Sequence, residues 1–467
     1  MSNKQTTLKE VTQGTIFLYC IPEFARGIFM VMVTNYLIYF YQPSPESGLP
    51  NLITQGFVVL GILTLIGFVK AIGHVIDAVT DPIIANLSDK CRSKAGRRMP
   101  FMKYSAIPYA LSALLIFCAP NDQPTILNNI WVAVFIWAYF IFYTFYMIPH
   151  VALLPEMVRE QHKRVNSYTI SSFLYVTGSA VGYATPSIVA GFKHAGLAPL
   201  TAWRVTFAIF TAVGVVLLLL PTFFIREKDY VSSVVPTVPL LASLKHTFQN
   251  RFFCWVTLGQ LLEGTAMAFF QACIMFYVVT LLGLPETASV TILAISIAGS
   301  LVLYPLVNKL AKRVGKRKPL MAGCVMFAVA QLAIYFAADL PVPPMVKAVA
   351  LAVFVSFPFA VFNILPGAML ADIIQYDTLK TGVNQEGVFS AAKSFVTKMG
   401  HSLAIMIVPT LIVIGAPVGE NVGRLGLKLT AVVAAVFCTA SIVAFYMYKE
   451  DAVLAAIGKS GKEAKKE

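Results

Sequence analysis

"SDKCRSKAGRRMP", residues 88–100, is a short cationic loop that turns at a Gly and closes on a Pro, set between two apolar runs. A second loop, "KLAKRVGKRKP", residues 309–319, has the same make-up: cations, one Gly, more cations, then Pro. Each falls between the second and third apolar segment of its half of the chain. One such loop is weak evidence, because loops on one side of a membrane collect Lys and Arg anyway. Two in matching positions, each with Gly at the turn, point to a six-segment unit used twice.

The composition agrees. The chain has 467 residues, 58% hydrophobic and 12% charged, where soluble domains carry about 25% charged residues. Apolar runs long enough to span, roughly 20 residues each, are expected near 13–41, 52–87, 101–119, 129–154, 167–192, 203–225, 252–282, 289–311, 320–338, 345–370, 388–414 and 425–448. The expected architecture is an all-α membrane protein of twelve transmembrane helices in two six-helix bundles. The bundles cover residues 1–225 and 252–448, joined by a linker at 226–251 and followed by a tail at 449–467. An even number of spans puts both termini on one side. By position, about 27 of the 36 Lys and Arg fall on that side, about five on the other and about four within helices, which marks both termini as cytoplasmic. The net charge of +14 is then a topology signal, and charge split among short loops makes no nucleic-acid surface. The end "KSGKEAKKE" reads as a solvated tail or a contact for anionic lipid. The first apolar run is too long for a signal peptide and has no small-residue cleavage site. A plasma membrane is the expected location, the inner membrane if the cell is bacterial.

The linker "REKDYVSSVVPTVPLLASLKHTFQNR", Arg226–Arg251, is the longest polar connection and has room for a short amphipathic surface helix. The seven Cys are scattered without metal or redox spacing and read as small packing residues. Enzyme signatures are missing: no GxxxxGK followed by Ser or Thr, no GxSxG, no HExxH. No cofactor is expected.

An ionisable group inside a bilayer costs about 2.5–3.5 kcal/mol even on insertion scales, so each one marks a function by default. The set is Glu23 and Arg26 in the first segment; Lys70, His74, Asp77 and Asp81 in the second; Glu263 in the seventh; Lys393, Lys398 and His401 in the eleventh; and His150 near the end of the fourth. In "KAIGHVIDAVTDP", residues 70–82, the four charged or titratable side chains are spaced i, i+4, i+7, i+11 and share one helix face. Asp77 and Asp81 are one turn apart and repel unless a cation or proton lies between them. Hard oxygen ligands, with the Thr80 hydroxyl beside them, suit Na⁺ or H⁺ rather than a transition metal. The alternative is that both Asp are neutralised by cations from other helices as structural glue. Glu23 and Arg26 read either as a self-satisfied pair or, beside Pro22, as part of a site. Lys70 is expected to meet a carboxylate or an anionic substrate. Lys398 and His401 are expected on one face, with Lys393 on another. Tyr19, Tyr36, Tyr39 and Tyr41 read as sugar-stacking rings or as packing.

These residues carry a resemblance. "DAVTDPIIANLSDKCRSKAGRRMPF", "MIPHVALLPEM" (147–157) and "ADIIQYDTLKTGVNQEGVFSAAKSFVTKMG" (371–400) resemble segments of the glycoside–pentoside–hexuronide:cation symporters, which include the melibiose permeases. The third segment has Asp372, Tyr376, Glu386 and Lys398 where that family has them. The resemblance implies a major facilitator fold with alternating access, and Na⁺, Li⁺ or H⁺ at Asp77, Thr80, Asp81 and Thr144. It also implies that Lys398 senses the cation and that Glu23 stands where the family has a sugar-binding Asp. Three positions depart from it: Met147 replaces a second sugar-binding Asp, Val151 a stacking Trp, and Ile170 or Ser171 an Arg. The lost Asp, with Lys70, His74, Lys393 and Glu263 added, points to an acidic saccharide such as a uronide.

The expected substrate contacts are therefore Tyr19, Glu23, Arg26, Lys70, His74, Met147, His150, Val151, Glu263, Lys393, Lys398 and His401. The basic loops are expected to act as a gate, Arg97, Arg98, Lys316 and Arg317 pairing with Asp89, Glu156 and Asp372 at helix ends. A lysolipid carrier of the same fold, accommodated by apolar Met147 and Val151, is the first alternative. An uncoupled facilitator, a non-transporting sensor and, last, a membrane enzyme are the others. The expected partners are a small-molecule substrate and the lipid bilayer, with no nucleic acid, for a monomer.

Overall fold

The computed structural model describes residues 9–59, 63–93, 95–158, 160–231, 247–337, 340–381, 386–417 and 420–463. In the first half these form α1 (Gln13–Cys20), α2 (Pro22–Val31), a π-turn (Met32–Tyr36), α3 (Leu37–Tyr41), α4 (Leu65–Lys90), α5 (Met99–Leu115), α6 (Ile126–Met157), α7 (Gln161–Tyr183), α8 (Thr185–His194) and α9 (Pro199–Phe224). In the second half they form α10 (Arg251–Phe276), a π-turn (Tyr277–Leu281), α11 (Thr287–Val314), α12 (Arg317–Ala337), α13 (Pro344–Thr381), α14 (Glu386–Leu411), α15 (Arg424–Met447) and α16 (Glu450–Glu463). Taking α1–α3 and α7–α8 as one span each, the described residues hold twelve helical spans and a terminal helix. The protein is an all-α, multi-pass membrane protein.

By length and composition alone, eight runs can cross a membrane: 13–41, 126–154, 199–224, 251–281, 287–314, 317–336, 344–381 and 424–447. Polarity sets two of the other four apart. α4 carries Lys70, His74, Asp77 and Asp81, and α14 carries Lys393, Lys398 and His401. The amphipathic logic is plain in α4. Val75, Val79, Ile83 and Leu87, spaced four apart, are all exposed. They form an apolar stripe opposite the polar one, as a helix with one face on lipid requires.

The chain divides into two compact units, residues 1–236 and 237–467. Inside each unit the helices pair alike. In the first, the α1–α3 span packs on α7 and on α9, α4 on α6, α5 on α6, and α5 on α9. In the second, α10 packs on α14 and on α15, α11 on α13, α12 on α13, and α12 on α15. This is one packing scheme used twice. The tightest crossings are made at Gly. A side chain at Gly27 or Gly178 would strike the backbone of the partner helix, and a Cβ at Gly400 would lie 2.7 Å from the Leu261 carbonyl oxygen. Small residues are what let membrane helices approach this closely.

The second span differs from the sequence expectation of 52–87. Its helix begins at Leu65, capped by the Thr64 hydroxyl accepting from the Gly67 N–H at 3.4 Å. Residues 57–59 and 63–64 pair as short antiparallel strands. Two neighbouring side chains hold the preceding loop away from helix. Asn128 Nδ2 donates to the Leu52 carbonyl at 2.7 Å, and Asn129 Oδ1 accepts from the Thr54 N–H at 3.1 Å. Gly56, at φ +83°, supplies a left-handed turn. The surface helix considered for the linker falls largely on residues 232–246, outside the described residues. Before them, Lys9 Nζ is 2.7 Å from Asp229 Oδ2, and that hydrogen bond and charge raise the Lys9 ammonium above its ordinary pKa.

Candidate functional site

Thr144, fully buried on α6, reaches both carboxylates of α4. Its Oγ1 donates to Asp77 Oδ1 at 2.8 Å and lies 3.3 Å from Asp81 Oδ1. Thr80 Oγ1 is 3.3 Å from the same hydroxyl and also donates to the Ile76 carbonyl at 2.8 Å. Asp77 is 4% exposed. Pro82, next to Asp81, has no N–H and leaves the Ala78 carbonyl without its helical partner. Oxygen atoms of two carboxylates and two hydroxyls thus converge from two helices. Magnitudes decide what this means. Two carboxylates about 6 Å apart repel by about 3 kcal/mol at an effective dielectric of 20, and each costs about 2.5–3.5 kcal/mol to insert. An interhelical hydrogen bond in a membrane returns on average only about 0.6 kcal/mol. One such hydrogen bond does not by itself offset that cost, and the convergent oxygens are of the kind that could receive a hard cation or a proton.

Six residues further along α6, about 9 Å by helix rise, His150 meets the first span. Its Nε2 is 3.6 Å from Glu23 Oε1, and its ring stacks on Tyr19 with centroids 4.7 Å apart. Tyr19 OH donates to the His150 carbonyl at 2.6 Å. Arg26 Nε donates to Glu23 Oε2 at 2.6 Å, with its guanidinium 4.4 Å above the Tyr175 ring. Glu23 and Arg26 do pair, as one sequence reading has it, but within a larger cluster. Glu23 is buried at 7% side-chain exposure while Arg26 remains 29% exposed. Arg26, seated between an aromatic face and a carboxylate, is the accessible member.

Other expected contacts sit differently. Lys70 is wholly buried, and its Nζ donates to the Val33 and Thr34 carbonyls at 3.2 and 3.4 Å. Those carbonyls belong to the π-turn, whose wider winding breaks the α-helical ladder. Lys70 thus clamps the first span, meeting two carbonyls where a carboxylate or an anionic substrate was expected. His74 packs on Phe140 with centroids 4.6 Å apart. Met147 is buried at 3% and lines no open surface, whereas Val151 is 53% exposed. Tyr36, Tyr39 and Tyr41 are packing residues, all buried; Tyr36 OH donates to the Tyr183 carbonyl at 3.0 Å, and Tyr41 OH to the Ile116 carbonyl.

In the second unit Glu263 is buried on α10, which packs on α14, the helix of Lys393. His401 lies over Gly264, its Nε2 3.6 Å from where a Cβ would stand. Lys393, Thr397 and His401 thus share the α14 face turned to α10. The sequence expectation, which set Lys393 apart from His401, is corrected by this packing. Lys398, half-buried, lies about 140° around the helix from Lys393 and about 60° from His401. The side chain of Glu386 lies outside the described residues.

The MFS/sugar transport protein family model matches residues 18–452. The chain belongs to this family. It is a family of membrane transporters, not enzymes. The chain is 25% identical to an uncharacterized symporter of Synechocystis sp. over 84% of each chain. It is 24% identical to the isoprimeverose transporter of Lactiplantibacillus pentosus over 83% of this chain and 77% of that one. It is 21% identical to a glucuronide carrier protein homolog of Escherichia coli over 85% and 82%. Among solved structures, a point mutant of a nucleoside transporter superposes with TM-score 0.66 at 13% identity, covering 93% of this chain and 100% of that one. The inward-open xylose transporter of Escherichia coli gives TM-score 0.64 at 11% identity, covering 93% and 96%. These likenesses show the major facilitator fold.

In this MFS transporter each basic loop is tied to the end of a neighbouring helix. Arg97 Nη2 is 2.7 Å from Glu156 Oε2, and Arg98 Nη2 is 2.9 Å from Glu156 Oε1 and 2.7 Å from Asp89 Oδ1. In the second unit Lys316 pairs with Asp372 at 2.5 Å. Arg317 instead gives Nη1 to the Tyr448 carbonyl at 3.1 Å.

Two site residues escape sequence reasoning. Glu227 Oε2 accepts the N–H groups of Arg98 and Met99, both at 2.9 Å. Glu450 takes those of Lys316 and Arg317 at 2.7 and 2.9 Å. Each caps the N-terminus of the third span of its unit, where free N–H groups and the dipole favour a carboxylate. Gly96 at φ +123° and Gly315 at φ +85° make room, since a Cβ at either would meet the carboxylate. The legible signal is a second echo, "RE" at 226–227 and "KE" at 449–450 just past the last helix of each half.

Proposed function

We propose that this transporter is a cation-coupled symporter of an acidic saccharide, with Na⁺, Li⁺ or H⁺ as co-substrate at Asp77, Thr80, Asp81 and Thr144. The observation that carries the reading is α6. Thr144 bridges the carboxylate pair and His150 meets Glu23 on one rigid helix, so a change at the first is felt at the second. A bound cation relieves the Asp77–Asp81 repulsion and settles the Thr144 hydroxyl between them. The sugar then binds at Glu23, Arg26, Tyr19, His150 and Tyr175. Glu23 accepts from hydroxyls, and the accessible Arg26 meets a carboxylate, for which a guanidinium is the suited partner. Alternating access of the two units follows, with the cation gradient driving uptake. The Gly96 and Gly315 loops, which the positive-inside bias assigns to the cytoplasmic side, each fasten helices of their own unit through their ion pairs.

The glucuronide carrier homolog and the isoprimeverose transporter among the relatives support a saccharide as cargo. The test is counterflow in proteoliposomes with a methyl glucuronide, a neutral methyl glycoside and a lysolipid as competitors. Competition by the glucuronide, lost in Arg26→Gln, supports the reading. Competition by the neutral glycoside alone contradicts the acidic sugar, and competition by the lysolipid contradicts the saccharide.

A further inference from the structure

Several buried charges are answered. Glu23 has Arg26 and His150, Asp77 has Thr144, Lys70 has two carbonyls, and Glu227 and Glu450 have backbone N–H groups. Glu263 is different. It is 6% exposed, and its Oε2 has no hydrogen-bond partner among the described residues. It is also in no ion pair within 4.0 Å among them. A permanently ionised carboxylate in that setting costs several kcal/mol, far more than packing at one position returns.

The groups around it are few. From α14 come Lys393, whose charge acts on Glu263 without contact, and His401 over the adjacent Gly264. Lys398 lies on the same helix. From α12 comes the Cys324 thiol; from α15 come Cys438, whose Sγ donates to the Cys324 carbonyl at 3.2 Å, and Lys428, whose ammonium lies 5.3 Å from the Tyr335 ring. From α13, Asp372 is taken by Lys316 and Asp377 by Asn250. Asn250 is thirteen residues before Glu263, about 20 Å by helix rise. The cation that acts on Glu263 is therefore Lys393, near but not bonded.

We propose that Glu263 and Lys393 form a proton-binding site in the second unit, separate from the Asp77–Asp81 site in the first. A proton from water bonds to Glu263 Oε2 and leaves a neutral acid, with Lys393 carrying the local charge. When the α14 face brings the Lys393 ammonium into contact, the O–H bond breaks, the proton returns to water and the carboxylate pairs with Lys393. No redox partner or co-reactant is needed. The site stands whether or not Asp77 and Asp81 bind a cation. With both, transport responds to pH and to a metal cation through different residues.

The experiment is acid-minus-alkaline infrared difference spectroscopy on the full-length protein in detergent. Wild type and Asp81→Asn should show a carboxyl C=O band of apolar surroundings, absent in Glu263→Gln. Lys393→Met should keep the band and displace the pH at which it appears, while Lys398→Met should not. A band retained by Glu263→Gln with wild-type melting, or lost in Asp81→Asn, overturns the site. So does a band whose pH dependence ignores Lys393→Met, and that outcome counts even where Glu263→Gln fails to fold. Loss of sodium-dependent transport in Asp81→Asn is read separately and bears only on the first site.

Discussion

Thr144 donates its hydroxyl to Asp77 at 2.8 Å while standing 3.3 Å from Asp81. One hydroxyl hydrogen faces two carboxyl groups unequally. A cation between the carboxylates would use the oxygen of Thr144 instead, so the hydroxyl is both a placeholder and a ligand. Thr144→Ala should weaken cation activation of transport about tenfold, the equivalent of about 1.4 kcal/mol, and Thr144→Ser should restore it. The check is the cation concentration giving half-maximal uptake.

Lys70 reaches the Val33 carbonyl at 3.2 Å from a fully buried position. Lys70→Met leaves the carbonyls of the π-turn unanswered, at about 1–3 kcal/mol for a buried acceptor. The expected outcome is a lower melting temperature and slower turnover, with substrate affinity within about threefold, well under the 1.4 kcal/mol of a tenfold change. Isothermal titration of substrate into purified Lys70→Met separates the two roles. A much larger loss of affinity with normal melting would make Lys70 a substrate contact.

Glu227 and Glu450 hold equivalent turns, each accepting two backbone N–H groups. Glu227→Ala or Glu450→Ala should each destabilise by about 2–4 kcal/mol, since hydrogen bonds to a charged group contribute about 1.5–3 kcal/mol each and water regains part of it. The Gln variants, which keep one acceptor oxygen, should lose about half as much. Thermal unfolding in detergent measures both series.

Gly178 has the backbone of Phe24 against it, and Gly400 that of Leu261. Gly178→Ala and Gly400→Ala each force a helix away from its partner within its own unit. Overpacking of this kind costs about 1–3 kcal/mol or more. Gly191, with nothing near its missing Cβ, is the control. Its Ala variant should match wild type in yield and melting.

Much of this was legible in the sequence, because the bilayer demands long apolar helices and taxes every buried charge. The two Gly-bearing basic loops announce the repeat, and the same helix pairs pack in both units. The i, i+4 spacing of Asp77 and Asp81 is enough to place both carboxylates on one face. The start of α4 was not legible. Residues 57–59 and 63–64 are as apolar as a helix but pair as strands, and the loop before them is tied at Leu52 and Thr54 by Asn128 and Asn129, some seventy residues away. The role of Lys70 depends on a π-turn, which leaves no trace in periodicity. Glu227 and Glu450 stand among charges that look like solvated helix ends; only the fold shows them capping α5 and α12. The grouping of Lys393 with His401 follows from which face of α14 meets α10, and that is set by Gly264 and Gly400 rather than by the charges.

Coupling of a cation to cargo by the carboxylate pair on α4 is tested most directly by uptake into proteoliposomes. Entry of radioactive sodium, or of protons, is measured on adding a methyl glucuronide, for wild type and Asp81→Asn. Coupling predicts cation entry that depends on the glucuronide in wild type and is abolished in Asp81→Asn, although the variant folds. Glucuronide uptake that ignores the cation gradient and survives Asp81→Asn would contradict it, and would leave the protein an uncoupled carrier.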